Sequence, residues 1–153
     1  MEKETFLVEA KELIECCSVF YLSTINKEYN SAETRAMGNI REIGKYPQNC
    51  ELFEDGDLSN YIITGLSTDK VLQMQNDKIV SIYYFCQQKR KSLTLFGRTE
   101  MVYDRLFKDR LWDSDWKLYF KLGSEDPEYA VIKFIPTAAK YFPSFHEKTT
   151  FEL

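Results

Sequence analysis

The sequence has a single histidine, His146, and four cysteines, Cys16, Cys17, Cys50 and Cys86, none in a C-x-x-C spacing. Zinc sites need closely spaced sets of Cys and His, so a metal finger is excluded. Ser-His-Asp chemistry would have to recruit His146 from the C-terminal segment, and no catalytic nucleophile set stands out. The six glycines form neither a G-x-G-x-x-G fingerprint nor a P-loop. No apolar run approaches the ~20 residues of a membrane span. No secretory signal is recognisable at the N-terminus, so the thiols are expected to be reduced and the protein cytoplasmic. Basic surplus is missing too: 20 Lys and Arg face 24 Asp and Glu, a net charge of −4. Nucleic-acid binders are usually basic, so no nucleic-acid partner is expected. The one compact basic run, "KRK" at 89–91, lies between two strand-like runs and reads as a solvated hairpin tip.

What is present is a chain of globular composition, 44% hydrophobic and unusually rich in rings, with 10 Tyr and 11 Phe. Its 153 residues are long enough for one domain with a core of its own. Rings are favoured in strands, and a stacking site for a flat ligand is the other way to use them. Residues 3–17 read as an amphipathic helix with Phe6, Ala10, Leu13, Ile14 and Cys17 on one stripe. Strands are predicted at 18–25, 32–40, 58–64, 79–86 and 92–103, with Gly97 marking a bulge. Two further strands are expected, "AVIKFIP" and "AAKYF", followed by a tail over about 143–153. Helical spacing recurs after "LSNYIIT" and in "DRLFKDRLW", with a short helix in "DSDWKLYF". The 41–58 segment carries Gly, Pro, Asn and Asp and reads as a loop that could hold a short helix. This order suggests an antiparallel sheet curled into a barrel, with helices flanking it.

Three constellations could carry chemistry. In "TGLSTDKVLQM", residues 64–74, a strand stops at Gly65 and a helix begins near Ser67 or Thr68. A helix start offers free backbone N–H groups and partial positive charge, and Thr64, Thr68 and Lys70 would add donors for an anion. The simpler alternative is an ordinary cap with a solvated lysine, and Asp69 counts against an anion unless it is turned away. In "ETRAM", residues 33–37, strand alternation puts Arg35, Met37 and Asn39 on one face. The guanidinium fork suits a phosphate; the alternative is an edge-strand arginine facing water. Trp112 and Trp116 are core or dimer contacts by type, with a ring-binding pocket as the lesser possibility.

Taken in order, these pieces resemble the FMN-binding split-barrel superfamily, in its pyridoxamine 5′-phosphate oxidase-like group that includes general stress proteins. The resemblance runs through "FYLSTI", "RAM", the turn carrying Thr64, Thr68 and Lys70, "IVSIYY", "GRTEMVYD" and "DPEYAVIKFIP", over roughly residues 5–142. It implies a six-stranded antiparallel split β-barrel with flanking helices, mainly β with α, assembled as a homodimer with two FMN sites at the interface. Carried over, Arg35 and Lys70 bind the FMN phosphate, with Thr68 in the family's serine position. Main chain at Ala36 and Met37 runs beside the ring, Thr64 and Gly65 lie near its ribityl side, and Trp112 contacts it from the other subunit. Ala36 stands where relatives often have proline. The Arg-x-His that holds substrate in true pyridoxamine-phosphate oxidases is missing from the C-terminal segment, which argues against that activity. The resemblance implies an FMN-dependent oxidoreductase using a nicotinamide or similar reductant on a small acceptor, without a catalytic side chain. The alternative is a non-catalytic flavin-binding stress protein, sensor or carrier, with deazaflavin or haem as lesser ligands.

Overall fold

The computed structural model describes residues 1–153. Helix α1 (Lys3–Cys16) leads into β1 (Val19–Asn26), β2 (Ser31–Gly38) and β3 (Asn60–Gly65). Helix α2 (Asp69–Asn76) precedes β4 (Ile79–Cys86) and β5 (Lys91–Met101). Helix α3 (Arg105–Leu111) is followed by the long β6 (Tyr129–Ser144) and a last strand, β7 (Glu147–Glu152). Short 3-10 turns at Pro47–Leu52, Ser114–Leu118 and Gly123–Glu125 fill the longer connections. No helix is long and apolar enough to cross a membrane.

Every strand pairing is antiparallel, and the sheet runs β2-β1-β4-β5-β6-β3 in space, curled into a half-barrel. The six-stranded path is the one the resemblance implies. Two expectations at its end need correcting. "AVIKFIP" and "AAKYF" are one continuous strand, and the expected tail beyond them supplies β7, which pairs with the second half of β6 from Ala138↔Glu152 to Ser144↔Glu147. Pro136, paired with Gly97, does not break β6 because it adjoins a bulge: the register passes from Gly97↔Pro136 to Phe96↔Ala138 and leaves Thr137 unpaired. A Cβ on Gly97 would lie 2.1 Å from the Ile135 carbonyl oxygen, so the close backbone approach at this bend requires glycine. β7 was hidden because it carries one apolar anchor, Phe151, whose ring stacks on Phe6 at 4.2 Å.

The predicted helix stripe is buried: Phe6, Ala10, Leu13, Ile14 and Cys17 join Val71 and Met74 of α2 inside the curled sheet. A second apolar cluster gathers Ile40, Tyr46, Phe53, Leu111, Trp116, Phe120 and Tyr129 under the connections. The outer strands of the path, β2 and β3, do not form a ladder with each other. Side chains link them instead. Asn39 Nδ2 donates to the carbonyls of Ile14 and Cys17, both at 2.7 Å, and Asn60 Nδ2 donates to Asn39 Oδ1 at 2.9 Å. Just beyond β2, buried Arg41 donates to the carbonyls of Asp57 and Ser59, at 2.7 and 2.8 Å. The asparagine amides are paired throughout, whereas Arg41 Nε and Nη2 are buried without a hydrogen-bond partner, the Glu15 carboxylate lying 3.9 Å from Nη2. This network fixes the relative position of β2, which carries Arg35, and β3, which leads into α2.

Candidate functional site

The turn from β3 into α2 is organised by a residue far away in the chain. Glu128, just before β6, accepts from the Ser67 N–H and hydroxyl at 3.1 and 2.7 Å, while its carbonyl accepts from the Leu66 N–H at 2.9 Å. Thr68 occupies the N-cap position of α2, yet its hydroxyl caps nothing. It donates back to the Gly65 carbonyl at 2.8 Å instead. The expectation of a side-chain cap is therefore corrected: Thr68 tightens the turn, and the first-turn amides of α2 are left without a side-chain acceptor. Those are the groups that make a helix start attractive to an anion.

Lys70, one residue into α2, is half-buried and donates from Nζ to Thr64 Oγ1 at 3.1 Å. Burial lowers its pKa, and the nearby Arg35 guanidinium lowers it further. The two cations therefore share one neighbourhood, although they come from β2 and α2. Asp69 is exposed and makes neither hydrogen bond nor ion pair with Lys70 or Arg35.

Arg35 does not face water. Only 19% of its side chain is exposed. One terminal nitrogen donates to Thr24 Oγ1 at 2.6 Å, the Glu33 carbonyl at 3.0 Å and the Leu22 carbonyl at 3.4 Å. The other donates to Glu33 Oε2 at 2.5 Å and Gln73 Oε1 at 3.2 Å. Gln73, one helical turn beyond Lys70, ties the cluster together, accepting from buried Thr24 at 2.5 Å and donating to Glu33 Oε2 at 3.1 Å. Asn26 donates to the other Glu33 oxygen at 3.3 Å. The Gln73 and Asn26 hydrogen bonds, with the Arg35 charge, hold the Glu33 carboxyl below the usual carboxylate range.

Of the other predicted residues, Met37 is buried on the Arg35 face, and Ala36 is exposed on the opposite one. Gly65 ends β3, where an added Cβ would come within 3.3 Å of Thr68 and 3.5 Å of Glu128. Trp112 stands apart within the chain. It lies edge-on to Trp116 and Tyr129, with ring centroids at 5.9 and 5.1 Å, and none of its ring contacts reaches Arg35, Thr64 or Lys70. The fold thus brings together Arg35, Thr64, Gly65, Thr68 and Lys70, and adds Thr24, Glu33, Gln73 and Glu128, which sequence reasoning passed over. Glu33 could have been found, since it lies two residues from Arg35 on the same strand face. Gln73 could also have been found, three residues after Lys70 on one helix face. Nothing local announces Glu128.

A groove of about 440 Å³ lies elsewhere: Met74, Lys78, Glu100, Met101 and Tyr103 help line it, and none of the predicted site residues does. We take the Arg35–Lys70 cluster as the candidate site because charge, donors and a helix start without a side-chain cap converge there. Those features fit a phosphate-bearing group, and the groove's mixed Lys–Glu rim does not match them.

The chain belongs to the pyridoxamine 5′-phosphate oxidase-like family, whose profile matches residues 11–153. No curated protein sequence matches significantly. Among solved structures, a Clostridium acetobutylicum protein related to general stress protein 26 of Bacillus subtilis, of the pyridoxine-phosphate oxidase family, superposes with a TM-score of 0.78. It is 25% identical, over 98% of this chain and 96% of that one. General stress protein 26 of Bacillus anthracis gives a TM-score of 0.73 at 18% identity, over 97% and 98% of the two chains. A haem-binding protein from Mycobacterium smegmatis gives 0.69 at 13% identity, over 95% of this chain and 57% of that one.

Proposed function

We propose that the protein binds FMN and serves as an oxidoreductase that passes reducing equivalents from a nicotinamide or similar donor to a small acceptor. The observation that carries this reading is the convergence of Arg35 and Lys70 at the uncapped start of α2. A phosphate there would meet two cations and the amides of Asp69 and Lys70, those of Val71 and Leu72 already donating to the Thr68 carbonyl; that pairing of charge and donors is the one anion sites use. Thr64 and Gly65 lie on the same rim and would flank the ribityl chain. Main chain at Ala36 and Met37 continues from Arg35 along β2 and would run beside the ring. When bound, the flavin supplies the redox chemistry, and the residues named here hold and orient it. No catalytic residue is assigned.

The outer face of the sheet supports a homodimer. Tyr21, Tyr83, Phe85 and Phe96 stand there at 39–45% exposure, and Ala36 shares that face. Trp112 would then reach the flavin of the partner subunit.

The test is spectroscopic. Purified protein should carry, or take up at micromolar concentration, a ligand with the visible absorbance of oxidised flavin. Colourless protein that leaves FMN fluorescence unchanged sinks the proposal. The same spectrum distinguishes deazaflavin and haem. Haem has little support in this chain, because the only histidine, His146, sits in the exposed β6–β7 turn. A flavin carrier or sensor is the second reading, favoured by the same lack of an acid–base pair. Stoichiometric anaerobic reduction by NADH or NADPH without turnover on any acceptor would select it.

A further inference from the structure

Arg35 already has an anion. Glu33 Oε2 lies 2.5 Å from one guanidinium nitrogen, and the same oxygen accepts from Gln73 at 3.1 Å. The other acceptors around Arg35 are neutral: the Leu22 and Glu33 carbonyls, the hydroxyl of fully buried Thr24, and Oε1 of half-buried Gln73 at 3.2 Å, itself tied to Thr24. The Glu33 carboxylate differs from them. It is on a flexible stem, 44% exposed, at the mouth of the cluster. Its oxygen therefore stands where a phosphate oxygen would have to lie to form a charged hydrogen bond with the same nitrogen. Asp69 is exposed and bonded to neither cation, and the Glu128 carboxylate is taken up by Ser67, so neither of these acids competes for Arg35.

We infer that Glu33 is a built-in counter-anion for Arg35, displaced when a phosphate-bearing ligand binds, and that it thereby sets the affinity of the site for phosphate. The inference rests on the reading of Arg35 and Lys70 as the phosphate site. Its physical basis is exchange. Binding must break the Glu33–Arg35 contact and leave the carboxylate near the incoming dianion, so part of the interaction energy is cancelled. Removing the charge while keeping the shape removes that opposition.

The experiment is a fluorescence titration of FMN and of riboflavin, which lacks the phosphate, into wild type, E33Q, R35A and K70A. Circular dichroism melts establish that each variant is folded, with E33A standing in if E33Q is not. The expected result is FMN binding tightened in E33Q by on the order of tenfold, riboflavin affinity unchanged, and FMN weakened in R35A and K70A. If E33Q weakens FMN or leaves it unchanged while R35A still weakens it, Glu33 only positions the arginine; the inference falls and the phosphate site stands. An equal change for FMN and riboflavin overturns it as well. If R35A and K70A leave FMN affinity unchanged, or wild type and E33Q bind no FMN, the phosphate-site reading fails and takes the inference with it.

Discussion

At the scale of single residues, the site depends on two cations that the chain holds at unequal cost. Arg35 is satisfied from within by five acceptor contacts. Lys70 has only Thr64, and burial beside a second cation disfavours its charged form. A bound dianion would relieve that repulsion, so both residues should matter to FMN binding. R35A and K70A are each expected to weaken it by about 1–3 kcal/mol, the range for losing a charged hydrogen-bond partner. Because both face one phosphate, the double variant should lose less than the sum. Isothermal titration of the three variants checks this. Much of this residue-level picture was readable in sequence: Arg35 on the Met37 face follows from strand alternation, and Lys70 after a strand-ending glycine follows from helix-start chemistry. The direction of the Thr68 hydroxyl was not readable, because Gly65 and the helix amides compete for it and only the turn's three-dimensional path decides. Glu128 was out of reach for a different reason: it meets Ser67 across a sequence separation of 61 residues.

Among the elements, the long strands decide how the half-barrel bends, and the predicted bulge at Gly97 is the clearest case. The glycine was legible as an interruption in a strand-like run. That it allows Pro136 to stay within a 16-residue β6 was not, since the partner strand is chosen by tertiary pairing. G97A would push a Cβ against the Ile135 carbonyl and Pro136 Cα, at 2.1 and 2.8 Å, and backbone on both sides leaves little to yield. A loss of about 3 kcal/mol, the upper end for overpacking, is expected in urea unfolding. A second element-level contact corrects the expected solvated "KRK" tip. Lys89 and Arg90 are exposed, but Lys91 pairs with Glu9 of α1 at 3.0 Å, and Tyr141 of β6 donates to the same carboxylate at 2.6 Å. The Tyr141 hydrogen bond, with that of Lys91, lowers the Glu9 pKa. A carboxylate depressed in the folded state stabilises above its unfolded pKa, and that contribution disappears as pH falls through the folded value. E9Q should therefore be less stable than wild type at pH 7, by under about 1 kcal/mol as for partly exposed pairs, and the gap should narrow as pH falls below the ordinary glutamate range. Melting curves from pH 3 to 7 that stay parallel would refute it.

For the whole molecule, the question is what covers the outside of the sheet. Tyr21 and Tyr83 face each other across β1 and β4 with ring centroids 6.3 Å apart. Phe85 lies two residues along β4 on the same face, and Phe96 of β5 stands opposite Ser81 of that face. These are interior strands of the path, so the rings form a patch in the middle of the sheet and not a frayed edge. The apolar parts of α1 and α2 are already engaged on the other side, in the core. The four rings remain 39–45% exposed, and exposed apolar surface of this kind is characteristic of association surfaces. A second copy related by a two-fold axis would place each patch on its own equivalent, which is the usual closed arrangement for a homodimer. Light scattering at micromolar concentration should therefore give the mass of two chains. The double substitution Y83D/F85D should give a folded monomer, because both side chains point outward and neither supports the core. If the partner's Trp112 completes each flavin site, that monomer should also bind FMN more weakly than the wild-type dimer, since its phosphate contacts remain while the partner's ring contact is gone. A wild-type monomer, or a Y83D/F85D protein that stays dimeric, would remove the patch as the interface. A folded Y83D/F85D monomer with wild-type FMN affinity would show that each chain holds its flavin without help from its partner.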